Sequence, residues 1–259
     1  MQDVGRVFLV GAGPGDPELL TLKALRCLEG AEVVVYDRLV SDEILALAPA
    51  GAARIYVGKQ PGHHPVPQGE INALLVRLAE SGRRVVRLKG GDPFSFGRGS
   101  EEAAALSARG LACEVVPGVT SAQGCAAQAG VPLTHRGLAS GVRYLTGHCR
   151  EDQDLDLDWE GLADPETTLV VYMGRAHIGQ IAEELMARGL PADTPALAVN
   201  NGTTPRERRL PTTLAALPAA VRAADFDGPV LFIIGRVAAL GATLGVAEDD
   251  EDARVASGA

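Results

Sequence analysis

The residues best placed to do chemistry lie in one run, Lys89-Gly90-Gly91-Asp92-Pro93-Phe94-Ser95-Phe96-Gly97-Arg98-Gly99. Four glycines in eleven residues let the backbone come close to a ligand and take up positive φ. The run follows Arg84-Val85-Val86-Arg87-Leu88, a β-prone segment. It precedes Ser100-Glu101-Glu102 and an alanine-rich stretch, which read as a helix with a serine N-cap and an acidic first turn. Strand, glycine loop and helix in that order is how open α/β sheets hold a small molecule at the carboxyl ends of their strands. A glycine-rich surface turn is the plain alternative; two aromatic residues and an arginine inside it argue against that. A second ionisable pair, Asp37-Arg38, closes the apolar run Val33–Tyr36 at another strand's carboxyl end, although Asp37 also suits a helix cap.

The elements that must position these residues repeat one unit: strand, glycine or proline loop, helix. Val7–Val10 runs into Gly11-Ala12-Gly13-Pro14-Gly15-Asp16-Pro17. That loop begins like a dinucleotide fingerprint, but two prolines interrupt it and the third glycine is missing. A helix is predicted over residues 21–29, strands over 33–36 and 54–57, and a helix over 67–81 with Ile71, Leu74, Leu75 and Leu78 on one face. Cys113–Val116 is a further strand, and Thr120 or Ser121 caps a small-residue helix to Ala129. The pattern predicts an α/β fold with a parallel, doubly wound sheet. Residues 130–136 read as a linker or a loop returning to the site. The second half is predicted to hold strands at 143–146, 168–172, 195–200 and 230–234, with helices near 178–188 and 212–223. The expected domains are 1–130 and 131–247, followed by an acidic, disordered tail at 248–259.

The net charge of −9 is unevenly placed. Glu151–Glu166 holds eight acidic residues and Glu248–Asp252 five, with no Lys or Arg in either segment. Setting those thirteen aside leaves twenty acidic against twenty-four basic side chains, so the remaining body can receive a polyanion. No apolar run reaches the ~18 residues of a membrane span, and no basic leader with an apolar segment opens the chain. A cytoplasmic location is expected. The four cysteines are widely spaced and His63-His64 are adjacent, a pattern that indicates neither a disulfide framework nor a metal site.

Seven loops in order, G-A-G-P-G-D-P-E-L-L-T, Y-D-R-L-V, G-G-D-P-F-x-F-G-R-G, P-G-V-T-S-A, P-L-T-H-R, N-G-T-T-P-R and I-I-G-R-V, together resemble the tetrapyrrole methylase family from about Val7 to Val237. The resemblance implies two α/β domains of the class III methyltransferase kind, with S-adenosylmethionine in the cleft between them, S-adenosylhomocysteine as its product, and a homodimer. It implies C-methylation of uroporphyrinogen III at C2 and C7 to give precorrin-2. By resemblance the cofactor positions fall on Pro14, Gly90, Gly91, Asp92, Ser95, Thr120, Ser121, Met173 and Gly202. Those that bind or act on the macrocycle fall on Asp37, Lys59, Arg98, Glu101 and Arg136. The chain departs from the family at Ser95, where Val or Ile is usual, and at His63-His64-Pro65. The chemistry agrees: a pyrrole carbon becomes nucleophilic as a proton leaves, so Asp37 or Glu101 suits a general base and a Lys or Arg steadies the charge. The substrate carries eight carboxylates, which forked arginines match, and Arg38, Arg98, Arg136, Arg175 and Arg206 all lie in predicted loops. Two other readings remain: a sibling methylase acting on a later corrin intermediate or a non-tetrapyrrole substrate, and a regulatory protein that binds S-adenosylmethionine without chemistry. No nucleic-acid or membrane partner is expected.

Overall fold

The chain divides into two compact units. The structure, a computed structural model, describes residues 5–58, 66–148 and 155–244. Expectations for Lys59, for His63-His64-Pro65, for Glu151–Asp154 and for the tail from Glu248 therefore lie outside the described residues. One unit holds the described residues through Gly124 together with Gly202–Pro205; the other holds Cys125–Asn201 and the described residues from Arg206 onward.

The first unit alternates β1 (Arg6–Gly11), α1 (Leu22–Glu29), β2 (Val33–Tyr36), α2 (Asp42–Ala46), β3 (Ala53–Tyr56), α3 (Gln68–Glu80), β4 (Arg84–Lys89), α4 (Gly99–Ser107) and β5 (Cys113–Val116), and α5 (Ser121–Gln128) follows. Its five strands are all parallel, in the order β3-β2-β4-β1-β5. Alternate residues feed opposite faces. Phe8, Val10, Val34, Val86 and Leu88 pack with Ala24, Leu28 and Ile44 of α1 and α2. Val7, Leu9, Val33, Val35 and Val85 pack with Leu75 and Leu106 of α3 and α4. Strands buried on both faces are why the sequence reads as apolar runs there. Thr21 caps α1 by accepting from the Ala24 N–H at 3.1 Å. The serine cap expected at Ser100 does not form. The helix instead starts two residues earlier, at Gly99, whose N donates to Pro93 O at 2.9 Å, with Arg98 at the N-cap position and no side-chain cap.

The second unit carries β6 (Gly141–Thr146), α6 (Trp159–Leu162), β7 (Thr167–Tyr172), α7 (Ile178–Ala187), β8 (Pro195–Asn200), β9 (Arg208–Thr213), α8 (Leu217–Ala223) and β10 (Val230–Ile234). Its α/β class is as expected, but the sheet is mixed: β6 runs parallel to β7, while β10 and β9 run antiparallel to their neighbours. The predicted helix over 212–223 gives up its start to β9. Arg208, Arg209 and Pro211 disguise β9 in the sequence, and as an edge strand it tolerates the missing N–H of proline. Among the described residues no helix is long and apolar enough to cross a membrane.

Candidate active site

Three glycine loops meet at the carboxyl edge of the first sheet. Gly13 and Gly91 form an antiparallel bridge, with Gly91 N donating to Gly13 O at 2.6 Å and Gly13 N donating to Gly91 O at 3.2 Å. A Cβ on Gly118 would come within 2.2 Å of Gly91 O and 2.8 Å of Gly11 Cα, so the backbones of these loops touch directly. Asp92 staples them. Its Oδ1 accepts from the amides of Phe94 (2.9 Å) and Ser95 (3.0 Å) and from Ser95 Oγ (3.2 Å), while Oδ2 accepts from Gly118 N at 3.2 Å. The side chains of Asp92 and Ser95 are thus used within the loops themselves. Gly91 differs from its neighbours: its φ is +68°, and a Cβ there would find nothing nearer than 3.9 Å, in the direction of Thr120 and Ser121. Gly90 sits against Leu39, and Pro14 lies against Gly124. Gly202–Pro205 belongs to this unit, and Asp16 N donates to Thr203 Oγ1 at 3.2 Å.

Six non-glycine residues among those described have left-handed backbones: Phe96, Arg98, Met173, Asn201, Thr203 and Asp225. All but Asp225 lie in or beside the loops singled out in the sequence. Each such residue costs about 1–3 kcal/mol and persists only where surrounding structure holds it, a pattern that clusters at ligand sites. Met173 is half exposed at the end of β7. Arg136 is exposed on a turn closed by the His135–Ala139 bridge, and Arg38 is exposed beside Asp37.

A buried charged cluster lies behind Asp37, and sequence reasoning missed most of it. Arg87 and Lys89 alternate with Val85 on one face of β4 and are almost fully buried, as is Glu102 of α4. Glu102 Oε1 accepts from Arg87 Nε (3.2 Å), Lys89 Nζ (2.9 Å) and Gln68 Nε2 (3.2 Å). The far end of Arg87 donates from Nη2 to Asp37 Oδ2 at 3.1 Å, and Asp37 Oδ1 accepts from Leu39 N at 3.1 Å. Burial, and next the Arg87 charge, hold the Lys89 ammonium below its ordinary pKa, with Glu102 pulling the other way. Two charged residues at i and i+2 inside an otherwise apolar buried strand were the available signal, since buried charges must be paired.

Arg98 and Glu101 face each other at the surface in a two-pronged pair, Nε–Oε1 at 2.8 Å and Nη2–Oε2 at 2.7 Å. The hydrogen bond from Arg98 holds the Glu101 carboxyl below its ordinary value of 4.5. A carboxylate so engaged is a poor proton acceptor but a good brace for an arginine. A folded pKa below the unfolded one adds stability above about pH 4.5 that is lost as pH falls through the folded value. Glu101→Gln should therefore flatten the acid-side fall in melting temperature slightly, since both groups are about half exposed. Arg98→Gly relieves a left-handed backbone, so melting temperature should hold or rise while turnover falls by ~10²-fold, as when one charge-stabilising donor is lost. Wild-type turnover in Arg98→Gly would remove Arg98 from the chemistry. Among the described residues no group of three or more His, Cys, Asp or Glu is placed to hold a metal.

The loops, their order and the fold match known proteins. The model of the Tetrapyrrole (Corrin/Porphyrin) Methylases matches residues 6–218. A uroporphyrinogen-III C-methyltransferase of Paracoccus denitrificans is 59% identical over 237 residues, covering 92% of this chain and 83% of that protein. A sirohaem synthase of Nitrosococcus oceani is 54% identical over 236 residues, and the chain spans about half of its length. Among solved structures, uroporphyrin-III C-methyltransferase of Thermus thermophilus complexed with S-adenosylhomocysteine superposes with a TM-score of 0.77 at 46% identity, covering 90% of this chain and 92% of that one. The glycine loops, the parallel sheet that presents them and these likenesses agree: the chain belongs to the tetrapyrrole methylase family.

Proposed function

We propose that this protein is an S-adenosylmethionine-dependent methyltransferase that methylates uroporphyrinogen III at C2 and then C7, giving precorrin-2. The observation that carries the proposal is the 59% identity, over 92% of the chain, to a protein of that named activity. The site's chemistry fits the cofactor. No Lys or Arg occurs in Gly11–Pro17 or Gly90–Gly97, while Asp16 and Asp92 do, so these loops suit a cationic ligand without phosphates better than a dinucleotide. The open ground in front of Gly91 is lined by backbone and by Thr120 and Ser121. In this reading Pro14, Gly90, Gly91, Thr120 and Ser121 hold the cofactor, with Asp92 and Ser95 fixing the loop that contacts it through backbone.

When bound, the cofactor supplies a methyl group already electrophilic on its sulfonium. The protein's work is to align the acceptor carbon, exclude water, and manage charge. Asp37 takes the proton that the tetrapyrrole gives up; Arg87 engages only one of its oxygens, whereas Arg98 takes both oxygens of Glu101. Arg98, braced by Glu101, and Arg38 and Arg136 meet substrate carboxylates. By resemblance Lys59 also acts on the macrocycle. The enzyme works as a homodimer in the cytoplasm.

The test is anaerobic incubation of the purified protein with uroporphyrinogen III and S-adenosylmethionine. Two equivalents of S-adenosylhomocysteine per macrocycle, with a product heavier by two CH2 units (each methyl gained less the proton lost), is the expected result. Cofactor binding without product, or methylation only of a later corrin intermediate, would overturn the proposal.

A further inference from the structure

We infer that Arg87 is the positioning residue for Asp37, the keystone of a buried network that fixes the catalytic edge of the first unit from within. The inference rests on the reading of Asp37 as the substrate's proton acceptor. Arg87 lies at 3% exposure and spends every nitrogen. Nε goes to Glu102 Oε1, Nη1 to the carbonyls of Leu88 (3.0 Å) and Val35 (3.4 Å), and Nη2 to Asp37 Oδ2. Val35 is on β2, the strand that leads directly into Asp37. The guanidinium therefore grips both the strand and the side chain it delivers. A lysine could not do this, because a planar fork makes these bonds in fixed directions and an ammonium does not.

The same network reaches the other elements that carry site residues. Glu102 sits next to Glu101 in the first turn of α4, so anchoring Glu102 sets where the Arg98–Glu101 pair stands. Gln68 opens α3 and also bonds Asn72 Oδ1 at 3.0 Å, so Glu102 holds the start of that helix as well. The four charges Arg87, Lys89, Glu102 and Asp37 sum to zero, although three of them are almost wholly out of water. Asp37 is the member that reaches the rim, a quarter exposed, with an oxygen held on each side. A buried ion cluster is weak evidence of stability, because well-packed apolar residues do as well. Its retention here is accounted for by the direction it imposes on one exposed carboxylate.

The test is a double-mutant cycle on the full chain. Arg87→Lys keeps the buried charge; it should lower kcat by ~10²-fold, the cost of a misplaced reacting group. KM for the tetrapyrrole and the calorimetric Kd for S-adenosylmethionine should stay within about twofold, because this device acts on geometry at Asp37 and not on ligand binding. In an Asp37→Asn background the same substitution should change kcat by less than about twofold, since its effect runs through Asp37. Equal loss of kcat in both backgrounds, or a change confined to KM, would overturn the inference. A fully active Asp37→Asn would instead sink the reading of Asp37 itself. Should Arg87→Lys not fold, Asp37→Gly gives a second route: formate should restore turnover saturably by settling on Arg87. Failure of formate to rescue in a folded Asp37→Gly protein would also overturn it.

Discussion

Gly91→Val is expected to leave the protein folded and to weaken S-adenosylmethionine binding by at least ~10²-fold, the scale on which a blocked contact shows in affinity. The position is unlike the glycines around it. At Gly118 or Gly11 an added Cβ would meet backbone atoms within 2.2–2.7 Å, so substitution there forces the loops apart. At Gly91 the nearest atoms stand 3.9 Å away, so the loops keep their bridge and the new side chain projects into open ground. A β-branched residue at φ +68° is strained, and a cost of about 1–3 kcal/mol should appear as a lower melting temperature. Calorimetric titration and thermal melting, run on the same sample, separate the two effects. Wild-type affinity in the folded variant would show that this loop is not the cofactor cradle.

Asp37→Asn is expected to cut turnover by about 10²–10⁴-fold, the usual contribution of a general base, with cofactor affinity intact. The amide is the same size and its oxygen can still accept from Leu39 N, so the loop should keep its shape. It cannot take a proton, and it leaves Arg87 without its second counter-charge. Some loss of stability should accompany the loss of activity, but correcting turnover for the folded fraction should not restore it. Turnover within a few fold of wild type would move the proton-accepting role elsewhere.

How much of this was legible in the sequence follows from which physical signal each part carried. The first sheet was plain, because strands buried on both faces leave apolar runs such as Val33–Tyr36, and all but that one run into glycine or proline. β9 was not, since an edge strand with two arginines and a proline has no pattern separating it from a loop. The Arg98–Glu101 pair was visible from a spacing of three. Arg87 and Lys89 lie within Arg84–Lys89, but the residues that pair them, Asp37 and Glu102, stand on other segments of the chain. Glu102 was hidden by Glu101: two acids in a first helical turn look like one electrostatic preference, and only packing reveals that one of them faces inward. Convergence of Gly11, Gly91 and Gly118 is a matter of register between parallel strands, which no local pattern encodes.

The membership of Gly202–Pro205 in the first unit also bears on how the chain can be made. Asp16 waits for Thr203, 187 residues downstream, and Thr203 also presses on the wall formed by Pro14 and Gly124. A ribosome releasing the chain from its amino end exposes five paired strands long before that clasp emerges. The nascent first unit must therefore hold its glycine loops with one side missing until Thr203 has been synthesised. Closing so long a loop is slow and late, so the glycine-loop edge is among the last parts of the unit to set. The unit cannot be excised as one continuous fragment, and a cut between residues 124 and 202 would separate the clasp from the loops it closes.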